Sequence, residues 1–348
     1  MRTVLIGLIL AAVAAGQQPA ITNAKLQAAS AKDGLEQAVR AAAGKQSGAA
    51  WIGYAVAKIP GDGQSCCFSD SGRGCGLEGQ RGVVAAKPAG PVQLEGPSHV
   101  AVLMRYEGGQ LGKIRAFTID CPLDAGGLPV HWLTDAAAAQ SVAMLSKYAD
   151  SAEETGKKLA DASVHAIAQH AGPAADTAME KFATSGATEH VRKQALFWLA
   201  NSRGKRGFEV VSRVGREDSS DKVREHAIFA LTQSREAGAI PAIIRIAKED
   251  KSARVRGQAL FWVAQSASKT ASGTITEAIE RDPDTEVKKK AVFALTQLPK
   301  EQGTPLLIQV ARTNANPAVK KQAMFWLGQS KDPAALKFFE EVLTRSSR

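Results

Sequence analysis

Four cysteines, six histidines and a recurring phenylalanine are the residues of this 348-residue chain whose chemistry could be put to use. Cys66, Cys67, Cys75 and Cys121 all lie in the first half. An even number of clustered cysteines in an oxidising compartment is a disulfide framework. A bridge between the adjacent Cys66 and Cys67 would need a strained ring, because a disulfide sets its Cα atoms about 5.5 Å apart. Each therefore reaches for one of Cys75 and Cys121, in either order. Four thiolates could instead hold zinc, but the C-x2-C spacing of such sites is absent. Among the histidines, His131 stands beside Trp132 in DAGGLPVHWL, which reads as a Gly-rich loop. The segment from Cys121 to His131 is thus where an enzyme or enzyme accessory would carry its site. No HExxH or GxSxG occurs, and Gly108 to Ile114 holds Gly-Lys without the glycine spacing or the Ser/Thr of a P-loop. No catalytic residue, metal ligand or cofactor is assigned.

The phenylalanines belong to a longer pattern. QALFWLANS, Gln194 to Ser202, returns as HAIFALTQS, QALFWVAQS, KAVFALTQL and QAMFWLGQS. Val191, Val223, Val255, Val287 and Val319 follow at steps of 32 residues, and Phe197, Phe229, Phe261, Phe293 and Phe325 keep the same register. A degenerate sixth copy precedes them, with Leu159 at the Val position and Gln169 at the final amide. Each unit shows apolar residues at the Val, four later and eight later, one face of a helix, followed by a second helical pattern such as Ile243, Ile246 and Ala247. Short helical hairpins of this kind bury their faces only by stacking, so residues 151–348 read as an all-α solenoid of about six 32-residue repeats.

The segments DSSDKVREHAIFAL, DKSARVRGQALFWV and DPDTEVKKKAVFAL resemble HEAT repeats of the short bacterial, phycobilisome-lyase type, over about residues 155–348. The resemblance implies a protein-binding scaffold. A HEAT-fold hydroxylase holds two irons with paired His-Glu dyads. Glu189-His190 and Glu225-His226 run in the opposite order at other repeat positions, so that site is not carried over. Nothing marks a bilin site either.

Within the repeats, a basic residue follows each Val (Arg192, Arg224, Arg256, Lys288, Lys320), and Asp218, Asp250, Asp282 and Asn314 stand five positions before it. The acids suit helix starts, and the basic column suits pairing between neighbouring repeats or an acidic partner. Trp198, Ala230, Trp262, Ala294 and Trp326 alternate at one position, which lets large and small side chains interdigitate in a 64-residue double unit. The Phe lies at about 240° from the Val on the helical wheel, away from the apolar cluster. It is flanked by amides and a histidine. Phe229, Phe261 and Phe293, with His226, Gln258 and Gln297, are the candidate partner-binding residues. The alternative is that each Phe wedges between repeats as core.

The remaining organisation follows from composition. Residues 1–16, MRTVLIGLILAAVAAG, have the layout of a secretory signal peptide. Residues 17–150 read as a small α+β domain: an Ala-rich helix between Ile21 and Gly44, a strand at WIGYAVAKI, a hairpin from HVAVLMRY and LGKIRAFTI, and a helix from about Asp135 to Ala149. The net charge is +10, and residues 151–348 hold 31 Lys+Arg against 23 Asp+Glu. The basic bias is interleaved with acids and the chain reads as exported, so nucleic acid is not the expected ligand. The expectation is an exported, non-enzymatic scaffold, periplasmic or extracellular, with no membrane span after leader removal and a protein partner in the cell envelope.

Overall fold

The structure, a computed structural model, describes residues 18–61, 63–69, 72–79, 96–149, 154–186, 188–266 and 270–346. The expected leader, residues 1–16, lies outside them. No helix among the described residues is long and apolar enough to cross a membrane. The chain divides into two compact units, residues 1–178 and 179–348.

The first unit runs β1 (Ile21–Thr22), β2 (Lys25–Ser30), α1 (Leu35–Gly44), β3 (Ala50–Ala57), β4 (Phe68–Ser69), β5 (Gly72–Arg73), β6 (Cys75–Gly76), β7 (His99–Glu107), β8 (Gln110–Thr118), β9 (Leu123–Asp124), β10 (Pro129–Thr134), α2 (Ala138–Ala149) and α3 (Glu154–Gln169). Five strands form one sheet in the order β2-β10-β3-β7-β8. β10 pairs parallel with both β2 and β3, and β3-β7-β8 continues antiparallel. The β7–β8 turn is made at Gly108 and Gly109, both at positive φ (57° and 75°), the backbone a two-residue hairpin requires.

Side chains alternate across this sheet. Trp51, Leu103, Phe117, Val130 and Trp132 face one way, into a core with Cys75, Leu77, Cys121 and Leu123. The Trp132 ring lies over Gly53, where a Cβ would come within 2.7 Å of it, so only glycine fits beneath. The other face takes α1 and α2, which bury Leu35, Val39, Val142 and Leu145. The disulfides join Cys66 to Cys121 and Cys67 to Cys75, one of the two orders the sequence left open.

Two sequence expectations change here. Residues 21–44 are not one helix. Lys25–Ser30 is an exposed parallel edge strand, and the helix begins only after Gly34, whose φ of 140° a helix cannot contain. DAGGLPVHWL is not a loop, since its second half is β10, the strand between β2 and β3.

The first helix of the degenerate copy, α3, packs against α2 and β8 and belongs to the first unit. α4 (Pro173–Ser185) contains the boundary between units. Beyond it the hairpins alternate first-layer helices α5 (Glu189–Ser202), α7 (Asp221–Thr232), α9 (Ala253–Gln265), α11 (Thr285–Leu295) and α13 (Pro317–Gln329) with second-layer helices. These are α6 (Gly204–Glu217), α8 (Ala239–Glu249), α10 (Ala271–Arg281), α12 (Lys300–Thr313) and α14 (Pro333–Ser346). Val191, Val223, Val255, Val287 and Val319 are buried with the Ala four residues on in each repeat.

Polar rungs tie successive repeats. The buried guanidinium of Arg224 donates from Nε and Nη2 to Asp250 of the next repeat at 2.8 and 3.0 Å, and from Nη1 to the Asp218 carbonyl at 2.8 Å. Arg256 repeats this on Asp282 (2.7 and 2.9 Å) and the Asp250 carbonyl (2.9 Å). Arg192 reaches Asp218 at 3.1 Å. Each of these acids also accepts from the N–H two residues on, at Ser220, Ser252 and Asp284, which fixes the turn into the next helix. Burial alone would raise the Asp282 pKa. The Arg256 hydrogen bond and the Asp284 N–H together outweigh it and hold the carboxyl below the usual range. At the next step Asn314 keeps the turn, to Asn316 N–H, but Lys288 bonds the Glu280 carbonyl instead of crossing.

Removing one partner of a buried ion pair strands the other, at about 3–5 kcal/mol. Asp250→Ala, which also frees the Ser252 N–H, should therefore lower urea-unfolding stability by about that amount. Asp282→Ala should cost less, because Arg256 is slightly exposed. A second prediction concerns acid. Burial pushes the His165 pKa from 6.5 down to about 4, and Gln169 donates to its Nε2 at 3.0 Å, as the neutral ring requires. The unfolded chain takes up this proton near pH 6.5, so the stability is present above that pH and is lost as pH falls toward 4, about 3 kcal/mol in all. His165→Gln should flatten that slope in unfolding curves at pH 7 and 4.5.

Candidate functional site

The five Phe positions and three Trp positions are one structure. Trp198 meets Phe197 at 5.1 Å, and Phe197 stacks on Phe229 with centroids 6.2 Å apart and planes 10° from parallel. Phe229 tilts against Trp262 at 5.6 Å, which meets the edge of Phe261 at 5.2 Å. Phe261 stacks on Phe293 at 6.2 Å and 3°, Phe293 tilts against Trp326, and Trp326 meets Phe325, both at 5.0 Å. The result is a continuous aromatic rail crossing the first-layer helices α5 to α13.

This explains the Trp–Ala alternation. Ala230 and Ala294 are fully buried, which leaves room for Phe197 on Phe229 and Phe261 on Phe293. At the intervening interfaces Trp262 and Trp326 fill the step between one Phe and the next. The 64-residue double unit is therefore visible as geometry, but the Trp rings are half-buried in the rail rather than enclosed in the core.

The candidate residues come together on this rail. Phe229, Phe261 and Phe293 are half-buried, packed ring to ring with an edge left to solvent, and Phe325 is 53% exposed. The His226 ring lies 5.7 Å from Phe229, and burial, then the charge of Lys193, lowers its pKa, so it is neutral at pH 7. Gln258 is half-buried, three residues before Phe261. Gln297 accepts from Gln265 Nε2 at 2.9 Å across one repeat, and its own Nε2 donates to Thr296 at 2.8 Å. The amides four residues after each Phe (Asn201, Gln233, Gln265, Gln297, Gln329) form a polar column beside the rings.

Charge along the other flank is positive. One turn before the Phe stand Lys193, Lys289 and Lys321, with Glu225 in the same column. Arg254 neutralises Glu225 through two hydrogen bonds at 2.6 and 2.8 Å, and Lys289 pairs with Glu286. Lys193, Lys290 and Lys321 carry no ion pair among the described residues. Sequence reasoning missed the Trp members of the rail, although their 32-residue register was the available signal.

Elsewhere the candidate chemistry does not assemble. Cys121 lies in the core on one face of the sheet, and His131, between Val130 and Trp132, points to the opposite face. His131 is buried, which lowers its pKa, and Cys121 is bonded to Cys66. Among the described residues the one group able to hold a metal is Cys66, Cys75 and Cys121, whose sulfurs are in disulfides. A Ser–His contact does occur. His170 Nδ1 donates to the Ala166 carbonyl at 2.7 Å, so its Nε2 accepts from Ser141 at 2.7 Å, and Ser141 accepts from Tyr54 at 2.8 Å. All three side chains are fully buried, and burial raises the Tyr54 pKa further out of reach. This chain pins α2 and the end of α3 to the sheet.

Residues 273–348 match the HEAT repeats family. No curated protein matches the sequence. Among solved structures it is similar to human deoxyhypusine hydroxylase in complex with glycerol, at 13% identity over 59% of this chain and 90% of that one, with a TM-score of 0.25. An engineered protein is similar at 16% identity over 58% of this chain and 97% of that one, with a TM-score of 0.28.

Ala294→Trp should overpack a fully buried site and force Phe261 off Phe293, at about 1–3 kcal/mol or more. Trp262→Ala should cost about 2 kcal/mol, below the range for an enclosed Trp, because its ring is half-exposed. Thermal melts of the two variants decide the order.

Proposed function

We propose that the protein is an exported, non-enzymatic scaffold that binds a protein partner in the cell envelope along the aromatic rail. The observation that carries this reading is the rail itself. An uninterrupted line of Phe and Trp edges reaches solvent over five repeats, bordered by amides on one flank and unpaired lysines on the other. Aromatic side chains with adjacent polar groups are the commonest anchors of protein interfaces, and HEAT arrays present such surfaces along their length. Export is supported by the leader-like N-terminal sequence and by the disulfide-bonded first unit. The buried Tyr54–Ser141–His170 chain and the two disulfides of that unit support a structural role for it.

The immobilised full chain should capture its partner from envelope extract. Phe325→Ser removes an exposed ring at little cost to folding, and Phe261→Ser removes the centre of the rail. Partner recovery should fall at least tenfold for Phe261→Ser and several-fold for Phe325→Ser, with circular dichroism unchanged. Undiminished capture by both variants, alongside a lowered melting point for Phe261→Ser, would make the rail core and end this reading.

A further inference from the structure

We infer that the crevice between α10, α12 and the turn into α13 binds a small organic monocarboxylate, held by Lys288 and the side-chain amide of Asn314. The site is separate from the rail and shares no residue with it.

Two equivalent crevices occur one repeat apart, each of about 310 Å³. Their linings correspond at steps of 32 residues, with Lys288 at the place of Arg256 and Asn314 at that of Asp282. In the earlier crevice the charges answer one another. Arg256 donates twice to Asp282, at 2.7 and 2.9 Å, and Lys248 pairs with Glu277 at 2.7 Å. In the later crevice the places of Lys248 and Glu277 hold Glu280 and Gln309. Neither Lys288 nor Glu280 forms an ion pair among the described residues.

The turn fixes which way the Asn314 amide faces. Asp250 and Asp282 each take the N–H two residues on with Oδ1, and the arginine Nε with Oδ2. Asn314 accepts the Asn316 N–H at 2.9 Å, which only its oxygen can do. Its NH2 group therefore stands where Oδ2 stands in the acids, on the side from which the basic residue approaches. Lys288 uses one of its three donors on the Glu280 carbonyl at 3.0 Å, near the end of α10, where a cation suits the helix terminus. Its other donors and the Asn314 NH2 belong to groups that line the same crevice. A guanidinium facing a carboxylate has become an ammonium facing an amide donor. A carboxylate from outside supplies the acceptor that Asp282 supplies one repeat earlier.

Apolar surface and charge select the rest of the ligand. Ile279 and Val310, both buried, and the half-buried Leu306 line the crevice, so the ligand carries a hydrocarbon body. The volume sits at the lower end of the range for small-molecule sites, about 300–1,000 Å³. One lysine answers one negative charge, and the exposed Glu280 repels a second. A branched short-chain monocarboxylate meets these demands. Phosphate, with more charge and no apolar part, does not.

The probe is isovalerate, titrated into the full-length protein at constant ionic strength and followed by ligand-observed NMR. One saturable site with a Kd of about 1 mM is expected for a ligand of this size. Isovaleramide, of the same shape without the charge, should bind at least tenfold more weakly, and inorganic phosphate should not compete. Lys288→Gln should weaken isovalerate about tenfold or more, the loss of one charge-assisted hydrogen bond. Asn314→Asp keeps the turn and places a carboxylate at the site from within the chain. It should abolish binding and raise the melting temperature of the free protein, with circular dichroism unchanged in both variants. Absence of saturable binding, equal binding of isovaleramide, or undiminished affinity in either variant overturns the inference. Binding that survives Lys288→Gln and is lost in Phe261→Ser would place the carboxylate on the rail and overturn it as well.

Discussion

A single charge pair, repeated, sets the geometry of the second unit. The arginine after each of the first three Val crosses to an acid 26 residues on, and that acid simultaneously closes the turn into its own helix. Two demands therefore meet in one carboxylate: the bend between helices and the distance between repeats. A buried arginine tolerates little variation in either, because its donors have a rigid planar arrangement that must find oxygen on several sides at once. The spacing of the helices follows from this, and so does the spacing of everything the helices carry. Across the first three steps the aromatic rings touch in line where each repeat is placed against the last by the same ion pair.

Much of this was legible in the residues because each repeat restates it. The 32-residue period exposes the basic column, the acids before it and the Phe register, and both halves of the Arg–Asp rung are visible as a pattern three times over. The joining of Phe to Trp was not. On one helix the two positions are about 100° apart and read as different faces. They meet because Phe229 touches the Trp of the following repeat, an offset that only packing reveals.

The first unit was less legible for physical reasons of its own. KLQAAS is composed of good helix formers, yet it lies as an edge strand on β10, where pairing overrides propensity. PVHWLT follows two glycines at positive φ and opens with proline, so it looks like loop while forming the strand that joins β2 to β3. The degenerate first repeat kept enough of the period to be counted with the solenoid, but α3 had already been recruited to cover β8. Single-copy structure offers no repetition against which to check a reading.

The exception at Lys288 and Asn314 has a mechanical meaning. Stacked repeats behave as a line of units joined by nearest-neighbour couplings. Three of those couplings contain a carboxylate–guanidinium clamp, and at this one the acid is replaced by Asn314 and the lysine bonds back to the Glu280 carbonyl of α10. Its cohesion rests on apolar packing, on the contact of Phe293 with Trp326 and on a single hydrogen bond from Asn316 Nδ2 to Thr285 Oγ1 at 3.0 Å, none of which is as constraining as a bidentate ion pair. The joint between α11 and α13 is therefore the compliant link in the array. Under tension, or under a twist transmitted along a bound chain, the solenoid yields there while the clamped repeats move as a rigid block.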